Sequence, residues 1–390
     1  MHPITAKLVS LVLGTTIVAA PCLWDYDTLR EERQQFPGTL ELITGKFIRH
    51  SKPFYEWRIE DRTKRLESEP DNLALYDDLA VAFDKTGRQD EAIAMMGKKE
   101  ALSPGRYETA ANLGTFHIHK GEFEEGLEHI KRAIEINPDA HFGREMYQQL
   151  LVEYVLECSK DGKVTLPLYQ NVPFDFVAIP QHTIVGFGEF VLNRSQNQSP
   201  KEEVRRAVKG IQGMMRFGHY DSPVLLEALG MLLMSQDCGG DTSYEANARR
   251  LAARAFLKAS YEAKTEEAKA DYYSMAHSVI LMQTKNSQTH DEIELETIEA
   301  QFKKELKEAE DWFANGILAD ENKWVQSGGE VDALFDAKYR DEPATSPSPK
   351  EPVLGGILTI LRPIAIPLVA LIAIVIIWRM SRKTTPPNQV

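Results

Sequence analysis

Residues 73–106 read LALYDDLAVAFDKTGRQDEAIAMMGKKEALSPGR, and residues 107–140 read YETAANLGTFHIHKGEFEEGLEHIKRAIEINPDA. Both stretches carry the same punctuation at an offset of 34 residues: Leu79, Gly87 and Pro104 recur as Leu113, Gly121 and Pro138, and Ala80 and Ala92 recur as Gly114 and Gly126. Each landmark has a mechanical reading. Gly87 and Gly121 end a first helix, where a left-handed backbone is cheapest for glycine. The small pairs mark the place where the two helices of a unit come close. Pro104 and Pro138 stop the second helix, because proline cannot continue the hydrogen-bond ladder. The spacing predicts helices near 73–85 and 89–102, and a second hairpin over 107–140.

A two-helix unit of this length cannot bury its apolar face alone, so it stacks on neighbours and builds a curved solenoid. Working outward, Pro70 sits one period before Pro104, so Phe54 to Glu69 reads as the second helix of an earlier half unit. A third unit opens at His141, with Met146, Leu150, Leu151 and Tyr154 on one helical stripe. Residues 159–199 break the pattern. Pro167, Pro173 and Pro180 lie among Leu168, Tyr169, Phe174, Phe176, Phe187 and Phe190, which predicts an irregular ordered insertion with a short strand pair at 163–169 and 174–179. Degenerate repeat-like helices follow over 200–284; Asp221-Ser222-Pro223 starts one of them, and Ala252, Ala253 and Ala255 form a close-packing face. Residues 285–340 form an acidic capping region with a single apolar stripe through Leu295, Ile298, Phe302, Leu306, Ala309, Phe313 and Ile317.

The 34-residue hairpin resembles the tetratricopeptide repeat (TPR), and the chain as a whole is similar to membrane-anchored bacterial TPR proteins. Lys99 departs from that family, which prefers alanine there. The resemblance implies an all-α, TPR-type helical-hairpin solenoid whose first helices present a concave face to a partner. Within 22–158, the slots it implies for contact are Asp77, Val81, Asp84, Glu108, Asn112, Thr115, Glu145 and Gln149, with Ile118 and Val152 among their neighbours. Family members that grip a C-terminal carboxylate place Lys, Arg and Asn in such slots. This surface offers Asp and Glu, with Asn112 as the one match, so a basic or mixed apolar peptide fits better.

Both ends of the chain read as addresses. Lys7 followed by the apolar stretch Leu8–Ala20 has the make-up of a signal peptide, assigned to residues 1–21. Near the other end, 353–378 is apolar through Ile364, Leu368, Leu371, Ile374 and Ile377, long enough for one transmembrane helix. Arg379, Arg382 and Lys383 then mark 379–390 as a basic cytoplasmic tail, and the Pro/Ser stretch 341–352 links the span to the body. The body is therefore expected on the periplasmic or extracellular side of a cell membrane. Net charge is −13, which excludes a nucleic-acid partner held by phosphate contacts. Between Asp291 and Glu342, 16 acidic residues face 6 basic ones, so the charge concentrates in the cap.

Catalytic signatures are absent: the sequence has no H-E-x-x-H, G-x-S-x-G or Walker motif. His117 and His119 point about 200° apart on a helix and cannot share one ion. These readings predict no enzyme, no cofactor and no metal. They describe a membrane-tethered scaffold that binds a protein or peptide partner in the cell envelope, with a non-catalytic subunit of a membrane-bound enzyme or transport complex as the alternative. His182, Asp175 and Glu189 are the obvious acid–base groups of the insertion, should it hold an active site.

Overall fold

The computed structural model describes residues 38–138, 144–169, 184–195, 197, 199–235, 242–284 and 294–340, except for the side chains of 242–247 and 282–284. They belong to one compact unit, Met1–Ala344; a second, Thr345–Val390, lies outside the described residues. The expected signal peptide 1–21, linker 341–352, membrane span 353–378 and basic tail 379–390 all lie outside them too. Among the described residues no helix is long and apolar enough to cross a membrane.

The architecture is all-α. A short helix α1 (Thr39–Thr44) precedes α2 (Lys52–Ser68), α3 (Leu73–Lys85), α4 (Gln89–Leu102), α5 (Tyr107–Lys120), α6 (Phe123–Ile136) and α7 (Arg144–Cys158). Helices α8 (Phe187–Arg194), α9 (Pro200–Phe217), α10 (Pro223–Ser235), α11 (Thr242–Glu262) and α12 (Glu266–Thr284) follow. The last described segment holds α13 (Leu295–Phe313), a π turn (Ala314–Leu318), α14 (Ala319–Ser327) and α15 (Val331–Tyr339). Consecutive helices pack as hairpins, most extensively α3 on α4, α5 on α6 and α11 on both α10 and α12.

The repeated punctuation acts as its chemistry requires. Gly87 and Gly121 have φ of 81° and 89°, the left-handed region that turns the chain into the next helix. In the second hairpin a Cβ on Gly126 would sit 2.9 Å from the Gly114 carbonyl oxygen and 2.6 Å from Ile118 Cγ1, so only glycine lets α5 and α6 approach this closely. In the first hairpin Ala80 and Ala92 fill the equivalent place with no exposed surface. Lys99, where a small residue was expected, is buried and places Nζ 2.7 and 2.6 Å from the two oxygens of Asp77.

Several expectations need correction. The segment expected as a strand, 163–169, is a series of bends after an isolated bridge between Lys160 and Lys163, and the described residues contain no strand; its expected partner, 174–179, lies outside them. Pro167 has no N–H to donate, and the amides of Leu168 and Tyr169 donate to the Glu227 carboxylate rather than to a neighbouring strand. The insertion is also not wholly irregular, because α8 crosses it. Phe187 and Phe190 of α8 pack against Tyr154 at ring-centroid distances of 5.6 and 5.2 Å, and with Leu168 they join the main core. On α7 the buried stripe is Tyr147, Leu151, Tyr154 and Val155, whereas Met146 faces solvent.

The acidic region does more than cover the last hairpin. Helix α13 packs on α11 and α12 and reaches α1, and α14 packs on α2. There the Glu321 carboxylate meets His50 Nδ1 at 2.6 Å and accepts from the Ser51 amide at 2.8 Å. Asp332 accepts from Arg58 at 2.8 Å and from Arg62 at 2.5 Å, and Arg62 Nε also donates to Asp78 at 2.8 Å. The end of the described helical run therefore closes on its beginning.

Candidate functional site

Closure of the helical run changes what its inner face can do. Of the eight slots expected to meet a partner, Asp77, Val81, Asp84, Asn112, Thr115 and Glu145 are buried, and Glu108 and Gln149 are half-buried. Lys99 and Asn112 engage Asp77, His119 engages Asp84, Tyr107 donates to Glu145 at 2.6 Å and Gln149 donates to Glu153 at 2.9 Å. The physical reason is that side chains of adjacent repeat helices cover these positions: Lys99 and Asn112 over Asp77, Gln148 over Thr115 and His119 over Asp84. Among the described residues, no open groove runs through all eight.

What remains open is a cavity of about 540 Å³ between the inner faces of α5 and α7 and the α9–α10 connection. Thr115 and Ile118 of α5 and Leu151, Val152 and Val155 of α7 line one side, and Phe217, Pro223, Val224 and Leu225 the other. Thr115, Ile118 and Val152 are inner-face slots of the repeat pattern, and the structure brings them together here. Gln148 donates to Thr115 Oγ1 at 3.2 Å, while its buried Oε1 accepts no hydrogen bond among the described residues. Arg144 lies over the Phe217 ring at 5.2 Å, and Asp221 and Glu262 add carboxylates to the lining.

The α9–α10 connection is held firmly. Lys85 Nζ donates to the carbonyls of Phe217 and Gly218 at 2.7 and 2.5 Å, and the Ser222 amide closes a turn onto the His219 carbonyl at 3.0 Å. A second cavity of about 430 Å³ lies on the other side of this connection, lined by Arg49, Tyr55, Val81, Lys85 and His219 among others. Between the two cavities stand Asp84, His119 and His219. Both Asp84 oxygens lie 2.9 Å from His119 Nδ1, and the two imidazoles meet edge to face at 4.5 Å.

Electrostatics follow from this burial. Burial drives the His219 imidazole down to about 3, helped by the charges of His119 and Lys85, so it is neutral over the working pH range. Burial would raise the Asp84 carboxyl, but the neighbouring His119, through its charge and its hydrogen bond, leads the groups that offset it, with Lys85 among them, and Asp84 titrates below its ordinary range. His117 is separate from this group, at 2.7 Å from Glu122 and stacked on His129 at 5.4 Å. Sequence reasoning passed over His219, Arg144 and Gln148. His219 lies 100 residues from His119 and 135 from Asp84, and its only local mark is the helix start that follows at Asp221. Glu189, the described member of the insertion's acid–base trio, lies on α8 and lines neither cavity; Asp175 and His182 lie outside the described residues.

No protein-family model matches the chain, and no curated protein matches it.

Proposed function

We propose that this chain is a membrane-tethered, TPR-type scaffold that binds a protein or peptide partner and has no catalysis of its own. The observation that carries the reading is the cavity of about 540 Å³ lined from the inner faces of α5 and α7, beside two hairpins whose first helices begin at Leu73 and Tyr107, and whose second helices begin at Gln89 and Phe123. The offset is 34 residues in both cases, the period of the TPR family. A cavity of this size suits one or two anchoring side chains of a partner. Its apolar walls and the carboxylates of Asp221 and Glu262 favour an anchor that is basic or mixed apolar. The apolar stretch 353–378 tethers the body, with the basic tail 379–390 in the cytoplasm and the body on the periplasmic or extracellular side.

Site-specific photocrosslinking tests this reading. A photoreactive phenylalanine analogue placed at Val224, on the cavity wall, in the full chain in its own membrane should join one discrete protein. The same probe at Met146, 51% exposed on α7 and outside the cavity lining, should not. No adduct from Val224, or the same adducts from both positions, would overturn the reading.

A further inference from the structure

Three side chains from distant parts of the chain converge where the two cavities meet. Asp84 comes from the C-terminal turn of α3, His119 from that of α5, and His219 from the α9–α10 connection. One ligating atom from each lies within 4.8 Å of the other two, and among the described residues this is the one such group of three.

We propose that Asp84, His119 and His219 form a binding site for a divalent first-row transition-metal ion of the zinc or iron(II) kind. Two imidazole nitrogens and one carboxylate oxygen are the donor set such ions take, whereas calcium and magnesium prefer oxygen ligands throughout. Bonds of about 2.0–2.1 Å place tetrahedral ligand atoms roughly 3.3 Å apart. The 2.9 Å between Asp84 and His119 Nδ1 is therefore a few tenths of an ångström short of that edge, and a metal ion would take the place of the shared proton. His219 has the larger adjustment to make, within the 4.8 Å limit.

The surroundings suit a bound ion with an open position. His119 and His219 both line the larger cavity and His219 also lines the smaller one, so a small molecule can reach the ion. Asp84 is fully buried, which fixes one ligand in place, and the imidazoles, though largely covered, keep some exposed surface, which gives the ion a way in. The Lys85 ammonium carries an opposing charge nearby, and it is committed to the carbonyls of Phe217 and Gly218, where it fixes the backbone immediately before His219. Three protein ligands leave a fourth position for a water molecule or a small ligand, in contrast to closed four-ligand structural sites.

The chain on its own should bind the metal, whether or not it also holds a protein partner. The test is titration of the untagged full chain with Co2+, followed by visible absorption, and with Zn2+, followed by calorimetry. One equivalent of each should bind, and Zn2+ should raise the melting temperature. His119→Ala and His219→Ala should each weaken binding by at least about tenfold, the loss that changes beyond the ligands themselves already produce at metal sites. His277→Ala, on the exposed side of α12, should leave binding unchanged. The zinc-edge X-ray absorption spectrum of the unmutated protein should show two imidazole ligands, a readout that holds even if a variant fails to fold. A folded chain that binds neither ion saturably, a spectrum without imidazole, or binding that survives in the His119→Ala/His219→Ala double variant would overturn the site.

Discussion

Glu227 is fully buried on α10, and both of its oxygens are committed: it accepts from the amides of Leu168 and Tyr169 at 2.9 Å each and from the Tyr272 hydroxyl at 2.8 Å. One side chain thus pins the insertion to two helices of the main core. Glu227→Ala leaves buried donors without an acceptor, at about 1–3 kcal/mol for each, and chemical denaturation should show the full chain destabilised by more than one such loss. Asp77 is the second buried carboxylate with a measurable consequence. Burial pushes it up to about 7 against the pull of Lys99. A carboxyl that keeps its proton longer when folded stabilises most in acid, so its contribution declines as pH rises from about 3.8 to about 7. His219, held at about 3, contributes in the opposite sense over much of this window, so the test is a difference: relative to Asp77→Asn, the unmutated chain should lose stability as pH rises. Neither role was legible in the sequence. Glu227 reads as an ordinary helix position, and Asp77 reads as a partner-facing slot until Lys99, twenty-two residues on, is seen to cover it.

The elements were far more legible than their side chains, because helix limits are set by local chemistry. Gly87, Gly121, Pro104 and Pro138 fixed the four helices of the two hairpins, and Ser222-Pro223 fixed the start of α10. Glycines of different function separate cleanly at this scale. Gly126 sits where α5 and α6 touch, and Gly126→Ala would drive a Cβ to 2.9 Å from the Gly114 carbonyl oxygen, an overpacking cost of about 1–3 kcal/mol. Gly97 lies in the middle of α4, and a Cβ added there would meet no atom within 4 Å, so Gly97→Ala should stabilise by roughly 0.5–1 kcal/mol through lower chain entropy. Thermal melts of the two variants should shift in opposite directions. The insertion was the least legible element. Its prolines and aromatics identified an ordered break in the pattern, but a strand pair and a core-packed helix share that composition, and only packing against Tyr154 separates them.

A stack of hairpins has contacts only between neighbours and can open one unit at a time. This chain adds contacts between its two described ends, through His50 with Glu321 and through Arg58 and Arg62 with Asp332. Those pairs join residues more than 250 positions apart, and this long-range closure is the part of the fold that no local pattern could announce. It also explains why the candidate site was only half legible: Thr115, Ile118 and Val152 follow from the repeat, whereas His219 and the cavity roof follow from how the chain curls. The central claim, that the described helices form one closed body around an inner cavity, is tested most directly by native-state hydrogen exchange on the full chain. Helix α2 (Lys52–Ser68) and helices α14–α15 should open with the same free energy, and Asp332→Ala should lower both together, by about 1–3 kcal/mol for charged hydrogen bonds lost at a half-buried carboxylate. Exchange of 319–339 at the rate of a free peptide, with α2 still protected, would contradict it.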